Sequence, residues 1–163
     1  MDMPERKPNR LKEYDYSQAG AYFITVCVKD KRKMFWSNAA LNNILPGEEI
    51  HLSNTGLVVE TAINNISVVY PNVRVDKYVV MPDHIHMILQ ITADNISGRT
   101  VCAPTISRII KQMKEYVTKQ TGECIWQKSF YDHIIRNDHD YREIWEYIDT
   151  NPLKRKDDDK QMK

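Results

Sequence analysis

Hydrophobic residues recur along the chain with two different periods, and the switches between them predict seven elements. Residues 21–28, AYFITVCV, are β-branched and aromatic, a strand that stops at the charged run KDKRK. Residues 37–55 hold Pro46, Gly47 and several Asn and Ser, which predicts a loop with at most a short strand or turn. Within 53–72, Leu57, Val58, Thr61, Ala62, Ile66 and Val69 fall at helical spacing, and Pro71 stops the helix. VRVDKYVV (73–80) and HIHMILQI (84–91) read as two strands joined by MPD, a tight hairpin. There Pro82 fixes φ and Asp83 can bond the turn backbone. A second helix follows over 105–122, opened by Pro104 or Thr105 and ended by Gly122. Its buried stripe is Ile106, Ile109, Ile110, Met113 and Val117. SFYDHIIR (129–136) reads as a fourth strand, and Asp138 to Pro152 as a last helix.

That order, strand, helix, strand, strand, helix, strand, helix, is the order of a split βαβ sandwich. It predicts an α+β fold: a ferredoxin-like antiparallel sheet with two helices on one face, plus an added C-terminal helix. A length of 163 residues supports a single domain over 1–163, with 1–15 and 153–163 as flexible tails.

Composition narrows the class only a little. Apolar residues make up 42% and charged residues 28%, enough for one core in a soluble chain. No stretch has the length and apolarity of a membrane span, and MDMPERKPNRLKEYDY lacks the apolar centre of a signal peptide. The expectation is a cytoplasmic protein with no membrane partner. Cys27, Cys102 and Cys124 are widely spaced and read as reduced thiols. A net charge of +1 does not announce a nucleic-acid binder, yet the basic residues gather in three clusters that one fold could bring to one face.

The chemistry is concentrated in YVVMPDHIHMILQI. Side chains alternate along a strand, so His84, His86 and Ile88 share one face while Ile85, Met87 and Leu89 share the other. Two imidazoles so placed can grip one divalent cation. They can equally be ordinary half-exposed surface, and a tight site needs a third ligand from elsewhere. On the last helix, Tyr141, Ile144, Trp145 and Ile148 make the natural core stripe, with Tyr147 on its flank as a reactive hydroxyl or a rim residue. Asn151 lies one turn beyond Tyr147, and next to Pro152 its plain role is a C-terminal cap.

Four segments together, YDYSQAGAYFITVCV, YVVMPDHIHMIL, ISRIIKQMKEYVTK and IWQKSFYDHIIRNDHDYREIWEYIDTNPLK, resemble the REP-associated tyrosine transposases. These are a branch of the single-tyrosine HUH transposases of bacterial insertion sequences, and the resemblance runs from about Arg10 to Lys154. It implies the ferredoxin-like fold, His84, His86 and Asn151 as metal ligands, Tyr147 as nucleophile, and Mg²⁺ or Mn²⁺ as cofactor. The implied activity is metal-dependent cleavage and strand transfer of single-stranded DNA beside a hairpin, a folded REP-like palindrome, through a 5′-phosphotyrosine. Arg6, Lys7, Arg10 and Lys12 would then suit phosphate contacts from an arm, and Arg108, Lys111 and Lys114 the duplex stem. Tyr14, Tyr16 or Trp126 could stack on unpaired bases. Relatives act as a monomer or a homodimer. The tail departs from the pattern, with Arg155 where many relatives have an aromatic residue. The rival expectation is a catalytically idle DNA-hairpin-binding regulator derived from such a transposase.

Overall fold

Four strands, β1 (Gly20–Cys27), β2 (Val73–Val80), β3 (His84–Ile91) and β4 (Tyr131–Ile135), form one antiparallel sheet in the order β2–β3–β1–β4. They belong to a computed structural model that describes residues 20–42, 49–92 and 105–161, with side chains as far as Pro152. The helices are α1 (Asn38–Asn42), α2 (Asn54–Val69), α3 (Ile106–Thr121) and α4 (Asp138–Gln161). The α+β, ferredoxin-like fold expected from the pattern is the one found.

Alternation builds the core. Tyr22, Ile24 and Val26 of β1 and Ile85, Met87, Leu89 and Ile91 of β3 face α2 and α3, all at 1% exposure or less. Each large side chain so buried stabilises the fold by about 1.5–3 kcal/mol. α3 matches its pattern: Thr105 caps it through the Arg108 N–H, the five expected residues are buried, and Gly122 ends it at φ 76°. Only glycine adopts that left-handed conformation without a steric cost.

Local details depart from expectation in α2, in the loop region and in α4. The buried stripe of α2 is Val59, Ala62, Ile63 and Ile66, while Leu57 and Val69 are exposed. This helix is apolar on most sides, so spacing alone does not choose its inner face. Gly56 chooses it: a Cβ there would lie 2.1 Å from the Phe35 carbonyl oxygen, so the helix docks closely at that point. In the loop region, Trp36 and Leu52 form an isolated bridge and Asn38–Asn42 a short helix. α4 does not stop at Pro152 but runs on to Gln161, through the segment expected as a tail. Pro152 has no N–H for the Ile148 carbonyl, a cost that did not end the helix. Its inner stripe matches the expected one at Tyr141 and Ile148 but not at Trp145. Ile148 and Asn151 are buried, whereas Trp145 is exposed.

β2 carries the sheet's one irregularity among the described residues, a register shift between Val75 and Lys77 that marks Asp76 as a bulge.

Candidate active site

The face of the sheet opposite α2 and α3 holds both histidines. In the β1–β3 register Thr25 stands across from His86 and Cys27 across from His84. Phe23, two residues before Thr25 on the same face, stacks on His86 with ring centroids 5.3 Å apart. His84 Nδ1 donates to Asp83 Oδ1 at 2.6 Å, which leaves the lone pair of that ring on Nε2. This Nε2 lies 3.1 Å from Nε2 of His86. That distance suits an N–H···N hydrogen bond when His86 carries its proton on Nε2 and accepts at Nδ1 from the Thr25 hydroxyl. Nitrogen ligands bound to one metal ion at about 2.1 Å sit about 3 Å apart, and the pair fits that requirement.

The surroundings orient the His86 ring and keep it neutral. Thr25 Oγ1 is 2.8 Å from His86 Nδ1, and a hydroxyl can donate or accept there, so it holds the ring in either tautomer. Burial, followed by the neighbouring His84, pushes His86 down to about 3, so the ring is neutral at physiological pH, the form that binds metal. Burial pushes the Asp83 carboxyl up. The hydrogen bond and charge of His84, with help from Lys33, outweigh it and hold Asp83 below its usual range. Asp83 thus supports a ring and also takes a hydrogen bond from its own backbone N–H in the turn, as the hairpin reading expects.

α4 crosses this face over β2 and β3. Asn137 caps it by accepting from the Asp140 N–H at 2.8 Å. Three contacts fix its course. Tyr141 Oη donates to Asp76 Oδ2 at 2.8 Å, and Asp76 also pairs with Arg74. Lys77 bonds Asp149 at 2.8 Å and lies 4.9 Å from the centre of the Trp145 ring. His133 meets Asp140 at 2.8 Å. So held, the helix brings the Tyr147 ring to 5.4 Å from His86 and 6.2 Å from Phe23, edge-on to the latter. Tyr147 remains 45% exposed and reachable from solvent.

Asn151 lies one turn, about 6 Å, farther along the axis. It is 7% exposed, and its Nδ2 has no hydrogen-bond partner among the described residues. Turning the amide by half a rotation exchanges nitrogen for the carbonyl oxygen without changing the packing. A buried amide with an unmet atom is what a ligand position presents, and a C-terminal cap is not, since the helix continues. No group of three His, Cys, Asp or Glu is placed to hold a metal among the described residues.

The expected DNA-contact residues are only partly brought together. Lys111 and Lys114 of α3 line a groove of about 760 Å³ with Lys29, Lys119 and Lys128, whereas Arg108 lies outside it. Lys114 Nζ donates to the Gln127 carbonyl at 2.8 Å. The Gln127 N–H in turn donates to Cys27 O at 2.9 Å, and Cys27 stands across from His84, so the groove starts beside the histidine end of the sheet. Trp126, a candidate for base stacking, is 2% exposed and packed on Phe35, which corrects that expectation. Arg6, Lys7, Arg10, Lys12, Tyr14 and Tyr16 lie outside the described residues. Thr25 and Phe23 were missed from sequence, because only the β1–β3 register reveals them as neighbours of His86.

A helix-crossed, four-stranded ferredoxin-like sheet with paired imidazoles and a tyrosine on one face defines the class of molecule. No family model matches the chain. An uncharacterized protein of Haemophilus influenzae is 34% identical over 167 residues, covering 91% of this chain and 88% of that protein. The REP-associated tyrosine transposase of Escherichia coli is 27% identical over 142 residues, covering 85% of this chain and 70% of that one. A solved structure of the REP-associated tyrosine transposase bound to a REP hairpin superposes with a TM-score of 0.62 at 27% identity, over 88% of this chain and 74% of that one. The chain is thus homologous to the REP-associated tyrosine transposases in sequence and in fold. No described helix is long and apolar enough to cross a membrane.

Proposed function

We propose that this transposase-family protein cleaves and rejoins single-stranded DNA beside a hairpin, with Tyr147 as its nucleophile. One observation carries the reading: Tyr147 lies 5.4 Å from a histidine whose Nε2 faces a second imidazole nitrogen, all within one chain. The hairpin-bound relative supports the substrate class.

A divalent cation held by His84, His86 and Asn151 would supply Lewis-acid polarisation of the scissile phosphate. Imidazole donors suit Mn²⁺ better than Mg²⁺, although either is compatible with an amide and water. Thr25 and Asp83 hold the two rings in orientation, and Phe23 packs against both His86 and Tyr147. Tyr147 Oη attacks phosphorus in line with the leaving O3′. The Oη–P bond forms as the P–O3′ bond breaks, the phenol proton passes to solvent, and O3′ takes one up. The products are a 5′-phosphotyrosine and a free 3′-hydroxyl. A second 3′-hydroxyl can attack the same phosphorus and release Tyr147, so joining needs no nucleotide cofactor. Lys111 and Lys114, in the lysine groove, would neutralise stem phosphates. The chain would act in the cytoplasm as one domain, alone or as a homodimer.

The test is a labelled oligonucleotide with a hairpin and single-stranded flank, incubated with Mn²⁺. A covalent protein–DNA adduct is expected, and Tyr147→Phe should abolish it. An adduct that survives that substitution sinks the assignment.

A further inference from the structure

α4 covers the β2 and β3 side of the catalytic face, and the β4 side carries a large exposed aromatic. Tyr131 is 58% exposed, more than Tyr147 or Trp145. Thr25 is the register partner of both His86 on β3 and Tyr131 on β4. Residues directly opposite in antiparallel strands point to the same side of a sheet. Tyr131, Thr25 and His86 therefore form one row across the site face, with Thr25 between them and bonded to His86. Two strand spacings separate the ends of that row, about 10 Å between Cα atoms. His133, on the same face one step along β4, is engaged with Asp140, and Phe23 is engaged with His86 and Tyr147. Among the described residues neither a ring contact nor a side-chain hydrogen bond occupies Tyr131.

From this row we infer that Tyr131 is a stacking platform for the unpaired base of a nucleotide adjoining the phosphate at His86 and Tyr147. The inference rests on the proposed function and adds the feature that holds the flank. A ring standing on an open four-stranded sheet offers a flat apolar face to a base. A base inside a duplex already has both faces covered by its neighbours, so only an unpaired one can take this place. Stacking of this kind tolerates any base, because every base has a π-face. Tyr131 therefore favours single strand over duplex at the cut site without reading its sequence. Of the stacking candidates read from sequence, Trp126 is buried, and Tyr14 and Tyr16 lie outside the described residues.

The experiment uses the full chain carrying Tyr147→Phe, so that binding is measured without cleavage, and hairpin oligonucleotides with a single abasic residue moved through the flank. Tyr131→Ala should weaken binding of the intact oligonucleotide about tenfold, corresponding to the usual loss of one base–aromatic stack. Tyr131→Phe and Tyr131→Trp should restore it. At one flank position the abasic residue should weaken the Tyr131-containing protein by the same factor and leave Tyr131→Ala unaffected. Changing the base there should have little effect. Tyr131 is on the surface, so thermal melting of the variants should coincide with the parent. Equal affinity of Tyr131→Ala for every oligonucleotide overturns the platform, and so does an abasic penalty identical in both proteins. Adduct formation by the protein with Tyr147 intact is scored separately. Its absence, with the Tyr131-dependent abasic pattern present, removes the cleavage chemistry and leaves the platform standing.

Discussion

The two faces of β3 differ in what they ask of their residues. Ile85, Met87 and Leu89 meet α2 and α3 in a sealed apolar layer, and His84, His86 and Ile88 meet α4 on a face only half covered. Ile88 is fully buried and His86 is 5% exposed, so the second face is nearly as dry as the first where α4 lies over it. The difference is polar content. The core face needs no hydrogen bonds, whereas each ring on the other face is tied by its own partner, Asp83 or Thr25. Shape complementarity stabilises one side and oriented polar groups equip the other.

The widest gap between the faces should appear when Leu89→Ala is set beside Tyr147→Phe. Leu89→Ala should cost about 2–5 kcal/mol in urea unfolding, the usual range for a large-to-Ala core change. Tyr147→Phe should leave the unfolding curve within about 0.5 kcal/mol of the parent while adduct formation disappears. A Leu89→Ala protein of unchanged stability would deny the distinction.

A smaller effect tests how the polar face is held. Thr25→Val should weaken Mn²⁺ binding, measured by calorimetry, about 10–100-fold, the usual consequence of removing a ring's outer hydrogen-bond partner. Thr25→Ser should recover it. If valine binds the ion as well as threonine, the hydroxyl has no part in orienting His86.

The latch that lays α4 on this face has its own pH signature. Burial, then the hydrogen bond and charge of Asp76, pushes the Tyr141 phenol up to about 12. A phenol in the unfolded chain ionises near about 10. The stabilising bond is thus fully present below about pH 10 and is lost as pH rises through about 12. The stability difference between the parent and Tyr141→Phe should shrink over that window. A difference that stays constant to pH 12 would show that the Asp76 contact contributes nothing.

Smallest should be the effect of thinning the lysine groove. Joint Lys111→Ala and Lys128→Ala substitution should weaken hairpin binding alike for all sequences and flatten the salt dependence by about 1 for each lost phosphate contact. An unchanged slope would place the stem elsewhere.

Much of this was open to the sequence for a physical reason. The period-2 runs and the strong stripe of α3 admit one reading, and HIHMIL declares two faces by alternation alone. α2 was misread because a helix apolar on most sides has no preferred face until the Phe35 carbonyl meets Gly56. On α4 only Trp145 and Asn151 were misread, because polar latches, Tyr141 on Asp76 and Lys77 on Asp149, set the helix's rotation and hydrophobic spacing cannot see them. Thr25, Phe23 and Tyr131 depend on strand register, which lies between segments far apart in the chain.

Only Arg136 and Asn137 separate the last strand from the helix that bears the phenol. So short a link leaves that helix little freedom to cross to another molecule, and the phenol ring lies 5.4 Å from the His86 imidazole of its own polypeptide. Cutting should accordingly be first order in protein: diluting the enzyme a hundredfold ought to leave the turnover of each molecule unchanged.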